Sequence, residues 1–201
     1  MSKRPLKILA KEREQAAGDE SAIAAIDDLE MRVNVFSAMK KLQTGEVDEA
    51  LAEIETISKT AKPAQQQQLA IAKCRALIAI VVDSGEKHEQ ATKSLLEVAE
   101  SKEIDATTLN EFAWSLYEAA SADDKFPKAT IAAATVAAEK AVAKDPENGP
   151  VLDTLAHLVH LQGNLARAIE LQTKAVKNAP AEMKDDLQAF LDEMKKEKAG
   201  K

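Results

Sequence analysis

One short residue set combines polar and aromatic side chains at helical spacing. Asn110, Trp114 and Tyr117 follow one another at intervals of four and three residues, so on a helix they share one face. Tryptophan and tyrosine are frequent anchors of protein interfaces because they bury a large area at a low cost in conformational entropy. This face therefore predicts recognition of another protein segment through aromatic contacts and amide hydrogen bonds.

A second set, Asp153, His157 and His160, has the same intervals. Two histidines on one helix supply two metal ligands, whereas a structural zinc site needs about four. Asp153 lies one turn away, and no further cysteine or carboxylate completes the set at ligand spacing. We therefore expect no metal here, and histidines that are solvated or line a binding surface.

The rest of the sequence offers no pattern typical of catalysis. Cys74 is the only cysteine, and on an alanine-rich helix it is expected to be a small buried side chain. Glycines occur singly at turns, so no phosphate-binding loop is predicted. The stretch 154–157 reads as helix interior and not as a nucleophile elbow. We expect no catalytic residue and no cofactor.

The composition excludes further classes. The 201 residues include 27 basic and 34 acidic side chains, and this balance argues against sequence-independent nucleic-acid binding, which needs cations. Aromatic residues are only 3%, too few to suggest a base-stacking platform. No apolar run reaches the roughly 18 residues of a membrane span. Residues 1–13 are basic without the apolar core of a secretory signal, which predicts a tether.

The elements that position these residues are predicted to be paired helices. Alanine, leucine, glutamate, lysine and glutamine dominate the composition and favour helix. Pro146 and Pro180 are 34 residues apart, and between them lie the predicted helices 150–161 and 165–177. Gly163 is suited to end the first helix and Asn164 to cap the second.

This period and its residues resemble the tetratricopeptide repeat (TPR) family. Ala156 and Ala168 are small where two antiparallel helices would cross, so that their axes approach to about 8 Å. Gln172 departs from the pattern, which usually has an aromatic residue there. The other matching positions are Leu152, Leu155, Val159, Ala175 and Pro180.

The resemblance implies an all-α fold, an α-solenoid of about four TPR-like helix-turn-helix repeats with terminal capping helices. It also implies a partner segment in a concave groove lined by the two sets above, namely Asn110, Trp114, Tyr117, Asp153, His157 and His160. The alternative for Trp114 is a structural role, packed under the polar insertion at 121–128, where the chain exceeds the strict period.

Three regions are expected along the chain. Residues 1–30 form an N-terminal helical cap or tether, 31–180 the repeat domain, and 181–201 a C-terminal capping helix and tail. The expected repeats are about 31–63, 64–105, 106–148 and 149–180. The first begins with a helix over 31–42, whose apolar side carries Val33, Phe36, Met39 and Leu42.

The C-terminal half also resembles the helical tail that follows the thioredoxin-like domain in some bacterial redoxin proteins. The similar stretches are 109–116, 137–146 and 151–156. The sequence has no Cys-x-x-Cys motif and no βαβ pattern, so the redox domain itself is absent. This resemblance implies a substrate-docking or dimerisation region of a redoxin oxidoreductase.

The favoured hypothesis is a non-enzymatic protein-protein interaction module that binds a protein or peptide segment. The redoxin tail is the alternative, and self-assembly into a homo-oligomer through uncovered helix faces is a third. A cytoplasmic location is expected if Met1 is the native start, and a periplasmic or secreted one if the chain is part of a longer redoxin.

Overall fold

The computed structural model describes residues 3–200, except for the side chains of residues 3, 4, 43 and 64. Within this range all regular structure is helical, which confirms the all-α class. None of the described helices is both long and apolar enough to cross a membrane. The α-helices are α1 Lys3–Gln15, α2 Glu20–Gln43, α3 Val47–Ser58, α4 Pro63–Ser84, α5 His88–Glu100, α6 Ala106–Ala122, α7 Lys128–Lys144, α8 Gly149–Leu161, α9 Leu165–Asn178 and α10 Lys184–Ala199, with a 3-10 turn at Ala181–Met183 before α10.

The chain forms two compact units, residues 1–73 and 74–201, here called the N-terminal and C-terminal units. In the N-terminal unit α2 and α3 form a helical hairpin, and α1 packs on α2. Asp19 caps α2 because its carboxylate accepts hydrogen bonds from the backbone N–H groups of Ser21 and Ala22. Leu9 of α1 is buried, in agreement with the packing of α1 on α2.

Helix α2 differs from the expected pattern. The sequence predicted a domain boundary at residue 30 and a helix over 31–42, whereas one helix, Glu20–Gln43, runs through that boundary. No glycine or proline interrupts residues 20–43, so nothing in the local sequence ends the helix there.

The expected role of Phe36 is wrong. Its side chain is 72% exposed, although the sequence placed it on the packing side of its helix. Helix α2 carries apolar residues around most of its circumference, and Ile26, Ala38 and Leu42 are the ones that it buries. Because Phe36 lies two residues from Ala38, it points away from that buried side.

The C-terminal unit consists of the hairpins α6–α7 and α8–α9 with α5 on α7 and α10 on α9. Ala156 and Ala168 are fully buried, as expected where helices approach closely. Gly149 allows α8 to start against the end of α9, since a Cβ there would lie 2.8 Å from the Cα of Ala179. Leu187 of α10 packs into the core formed by α8 and α9, so α10 caps the last hairpin.

The predicted insertion lies mainly within helices. Helices α6 and α7 each have 17 residues, against 13 and 14 in α8 and α9, and only residues 123–127 connect α6 to α7. Phe126 of this connection is buried and meets the ring of His88 edge-on at 4.8 Å between ring centroids. Lengthened helices therefore accommodate most of the extra chain.

Candidate functional site

Three of the predicted site residues meet where α6 packs on α8. The ring centroids of Trp114 and Tyr117, both on α6, lie 5.1 Å apart. His157 of α8 lies 5.5 Å from Trp114 and 4.7 Å from Tyr117. Trp114 therefore contacts rings on α6 and α8. In the predicted insertion, the ring of Phe126 contacts His88. Helical spacing had grouped Trp114 with Tyr117, whereas their contact with His157 was not predicted from the sequence.

A fourth ring comes from α10 and was missed as a site residue. Phe190 stacks on His157 with centroids 3.7 Å apart and an angle of 9° between the ring planes, and it meets His160 edge-on at 5.6 Å. We call Trp114, Tyr117, His157 and Phe190 the aromatic cluster. The sequence contained one signal for Phe190, the apolar stripe of α10. The stripe indicates that this helix packs on another element, but it does not identify that element.

Asp153 lies beneath the cluster and faces the interior. The Nε2 of Gln172, which is fully buried, donates to Asp153 Oδ1 at 2.6 Å and to the carbonyl oxygen of Leu187 at 3.0 Å. Asp153 itself is only 8% exposed. Gln172, which departs from the repeat pattern, thus connects α9 to α8 and α10 by hydrogen bonds. Asp153 is engaged within the core and presents little surface to a partner.

Burial sets the charges in this region. It lowers the pKa of His157 from 6.5 to about 4, with a further decrease from nearby His160, so His157 is neutral at pH 7. Its Nε2 lies 3.7 Å from Asp153 Oδ1, which is therefore no ion pair at neutral pH. Burial raises the pKa of Asp153 against the opposing effect of the Gln172 hydrogen bond. Burial, then the charge of Asp153, raises the pKa of Tyr117.

The outer edge of the site is polar. His160 Nε2 and Glu197 Oε2 are 2.8 Å apart, which joins α8 to the end of α10. Asn110 lies one turn before Trp114, and its buried Oδ1 has no hydrogen-bond partner among the described residues. The side chains of Asn110, Trp114 and Tyr117 remain partly exposed.

The arrangement can bind a segment by ring stacking and amide hydrogen bonds. Among residues 3–200, no group of three or more histidine, cysteine, aspartate or glutamate side chains is arranged to hold a metal ion. Cys74 is fully buried, so its thiol is not presented to solvent. The groups that the site offers are aromatic rings and amide side chains.

Comparison with known proteins adds little to this description. No protein-family model matches the chain, and no curated protein matches it. The expected similarity to redoxin tails therefore gains no support. A solved structure of a MamA mutant is similar over 88% of this chain and 98% of that chain, with 18% identity and a TM-score of 0.45. At that level the similarity carries no conclusion about function, and the fold rests on the helix packing within each unit.

Proposed function

We propose that the protein is a non-enzymatic interaction module whose C-terminal unit binds a segment of a protein partner along α6 and α8. One observation carries this proposal: the same surface already holds a helix, α10, through the stacking of Phe190 on His157. A surface that orders one amphipathic helix by ring contacts has the shape and chemistry to hold a second segment beside it.

The region left for the partner lies along α6. Asn110, Trp114 and Tyr117 are partly exposed there, next to the part of the cluster that Phe190 covers. Because α6 and α8 are packed helices, these side chains are ordered before binding, and the ordering cost falls mainly on the partner. The rings of Trp114 and Tyr117 supply apolar area for the partner.

The electrostatic surroundings favour a neutral or basic segment. Asp153, Glu118 and Glu193 are the charges that raise the pKa of Tyr117, so the potential at this end of the surface is negative. An acidic peptide would be repelled here, whereas lysine or arginine side chains beside an apolar anchor would be attracted.

The experiment is affinity capture with mass spectrometry, comparing the wild type with Tyr117→Ser. We expect partner recovery to fall at least about tenfold, because an aromatic anchor would be lost. Leu161→Ser is the matched control, since Leu161 is an exposed apolar residue elsewhere in the C-terminal unit. Circular dichroism checks that both variants keep their helix content. Equal recovery by wild type and Tyr117→Ser would contradict the proposal.

A further inference from the structure

The surface along α6 and α8 carries negative charge without cations of its own. Neither α6 nor α8 contains a lysine or an arginine. Their carboxylates are Glu111 and Glu118 on α6 and Asp153 on α8. Arg75 pairs with Glu111 at 3.3 Å, whereas Glu118 forms no ion pair with any described residue. Glu118 therefore keeps an uncompensated negative charge on α6.

Helix α10 adds a further carboxylate near the aromatic cluster. Glu193 lies one helical turn after Phe190, the ring that stacks on His157, and its side chain is exposed. Glu193 forms no ion pair within the described part of the chain. Helix α10 as a whole contains five acidic and four basic residues, so its own lysines do not neutralise the carboxylates of α6 and α8.

Tyr117 shows the sign of the electrostatic potential at this point. Burial, and then the charges of Asp153, Glu118 and Glu193, raise the pKa of Tyr117. All three charges are negative, and no cation of residues 3–200 opposes their effect on the hydroxyl. They come from α8, α6 and α10, so three helices contribute to one negative potential. Glu118 and Glu193 are exposed and accessible to a ligand, whereas Asp153 acts from the interior.

We propose that the segment bound along α6 and α8 is basic, and that it places an arginine or lysine side chain beside Trp114 and Tyr117. This inference rests on the proposed function and names the chemistry of its partner. Aromatic rings attract a cation because their faces are electron-rich. The carboxylates of Glu118 and Glu193 pair with the same cation. Because both carboxylates are exposed, the bound cation stays partly hydrated and loses little solvation.

Two other occupants fit less well. An acidic segment would meet the unpaired carboxylates and would find no lysine or arginine on α6 or α8. A small cationic molecule would use only part of the surface. The partly exposed stretch from Asn110 to Tyr117 is about 10 Å long, which is the length of roughly three extended residues and therefore suits a peptide.

The experiment pans a displayed library of random peptides on the full chain, with Tyr117→Ser as the counter-selection. We expect the enriched sequences to share an arginine or lysine next to apolar residues. A labelled synthetic peptide of the most enriched sequence is then measured by fluorescence anisotropy. Replacing its cationic residue by an uncharged analogue, citrulline for arginine or acetyl-lysine for lysine, should weaken binding about five- to tenfold.

Variants of the two exposed carboxylates test the same contact from the protein side. Glu118→Gln and Glu193→Gln should each weaken binding of the cationic peptide about two- to fourfold. The uncharged peptide should bind these variants as it binds the wild type, because it has no charge to pair. Glu170→Gln is the matched control and should change nothing, since Glu170 is an exposed glutamate of α9 without an ion pair among the described residues. All three substitutions affect exposed side chains only, so the fold is retained.

Failure of this inference can be distinguished from failure of the proposed function. Enriched peptides that depend on Tyr117 but contain no basic residue would overturn the inference and leave the proposed function standing. The same holds if the cationic peptide binds Glu118→Gln and Glu193→Gln as tightly as the wild type. Equal enrichment on the wild type and on Tyr117→Ser would overturn both. Binding of arginine amide alone with the affinity of the peptide would assign the surface to a small cation instead.

Discussion

The two compact units hold their aromatic residues in opposite states. In the C-terminal unit Phe190 stacks on His157 and belongs to a packed cluster, whereas in the N-terminal unit Phe36 stands in solvent. A packed ring contributes to the stability of its own fold. An exposed ring contributes little to stability and leaves its apolar area for an external partner. Phe190 therefore contributes to the packing of α10, whereas Phe36 packs against no other part of the N-terminal unit to a comparable extent.

Charge separates the units as well. Residues 1–73 contain 11 basic and 12 acidic side chains, while residues 74–201 contain 16 basic and 22 acidic ones. Most of the formal net charge of -7 therefore belongs to the C-terminal unit.

The largest effect is expected from removing the packed ring. Phe190→Ala should lower the free energy of unfolding of the C-terminal unit by about 2–3 kcal/mol, because a partly buried ring loses its contacts with His157 and His160. Urea denaturation followed by the fluorescence of Trp114, the only tryptophan, measures this value. A loss below about 0.5 kcal/mol would show that α10 does not depend on the cluster.

Acid should destabilise the cluster through His157. Because burial lowers the pKa of His157 from 6.5 in its ordinary state to about 4, the unfolded chain takes up this proton first as the pH falls. Above pH 6.5 His157 is neutral in both the folded and the unfolded chain and does not affect the pH dependence of the free energy of unfolding. Between pH 6.5 and 4 that free energy falls, by about 2 kcal/mol at pH 4.5.

The matched variant for this pH dependence is His157→Gln. Asp153 acts in the opposite direction, since its raised pKa means that the folded state gains stability when Asp153 takes up a proton. The informative quantity is therefore the difference between wild type and His157→Gln in urea titrations at pH 7 and 4.5. Parallel losses in both proteins would contradict a buried neutral histidine.

A smaller loss is expected at the polar contact below the cluster. Gln172→Leu removes the donor that serves Asp153 and the carbonyl of Leu187, and it leaves the buried Oδ1 of Asp153 without this hydrogen bond. We expect a loss of about 1–2 kcal/mol. Combining it with Asp153→Leu should recover part of that loss, because the unpaired carboxylate is then removed as well. Thermal unfolding of the single and double variants measures this coupling, and strictly additive losses would argue against it.

The smallest effect is expected at Phe36. Phe36→Ala should change the free energy of unfolding by less than about 0.5 kcal/mol, because the ring is mostly in solvent. Chemical denaturation followed by circular dichroism is the measurement, since no tryptophan lies in the N-terminal unit. A loss of 2 kcal/mol or more would mean that Phe36 is packed and that the comparison fails.

The helices and part of the site follow from sequence because they depend on local spacing. The glycine and asparagine at 163 and 164 marked the turn between α8 and α9, and Gly163 does adopt the left-handed conformation, with φ of 82°. Spacing predicted that Trp114 and Tyr117 share one helix face, and the repeat pattern predicted that His157 lines the same groove; the structure adds that their rings meet. The functional role of these residues stays a prediction.

The position of Phe190 and the buried side of α2 depend on tertiary packing, which local spacing does not determine. The stripe on α10 showed an apolar face, yet only the docked helix reveals that Phe190 lies on His157. Helix α2 is apolar around most of its surface, so its pattern could not decide which side would be buried. Phe36 was assigned to the wrong side for that reason.

The central claim is that Phe190 is covered by the chain itself and Phe36 is not. Hydroxyl-radical footprinting with mass spectrometry tests this directly, because it compares two phenylalanines of equal intrinsic reactivity in one sample. We predict that the side chain of Phe36 is oxidised at least about twice as fast as that of Phe190, which is partly exposed, and that urea makes the two rates equal. Equal rates in the native protein, or faster oxidation of Phe190, would contradict the account.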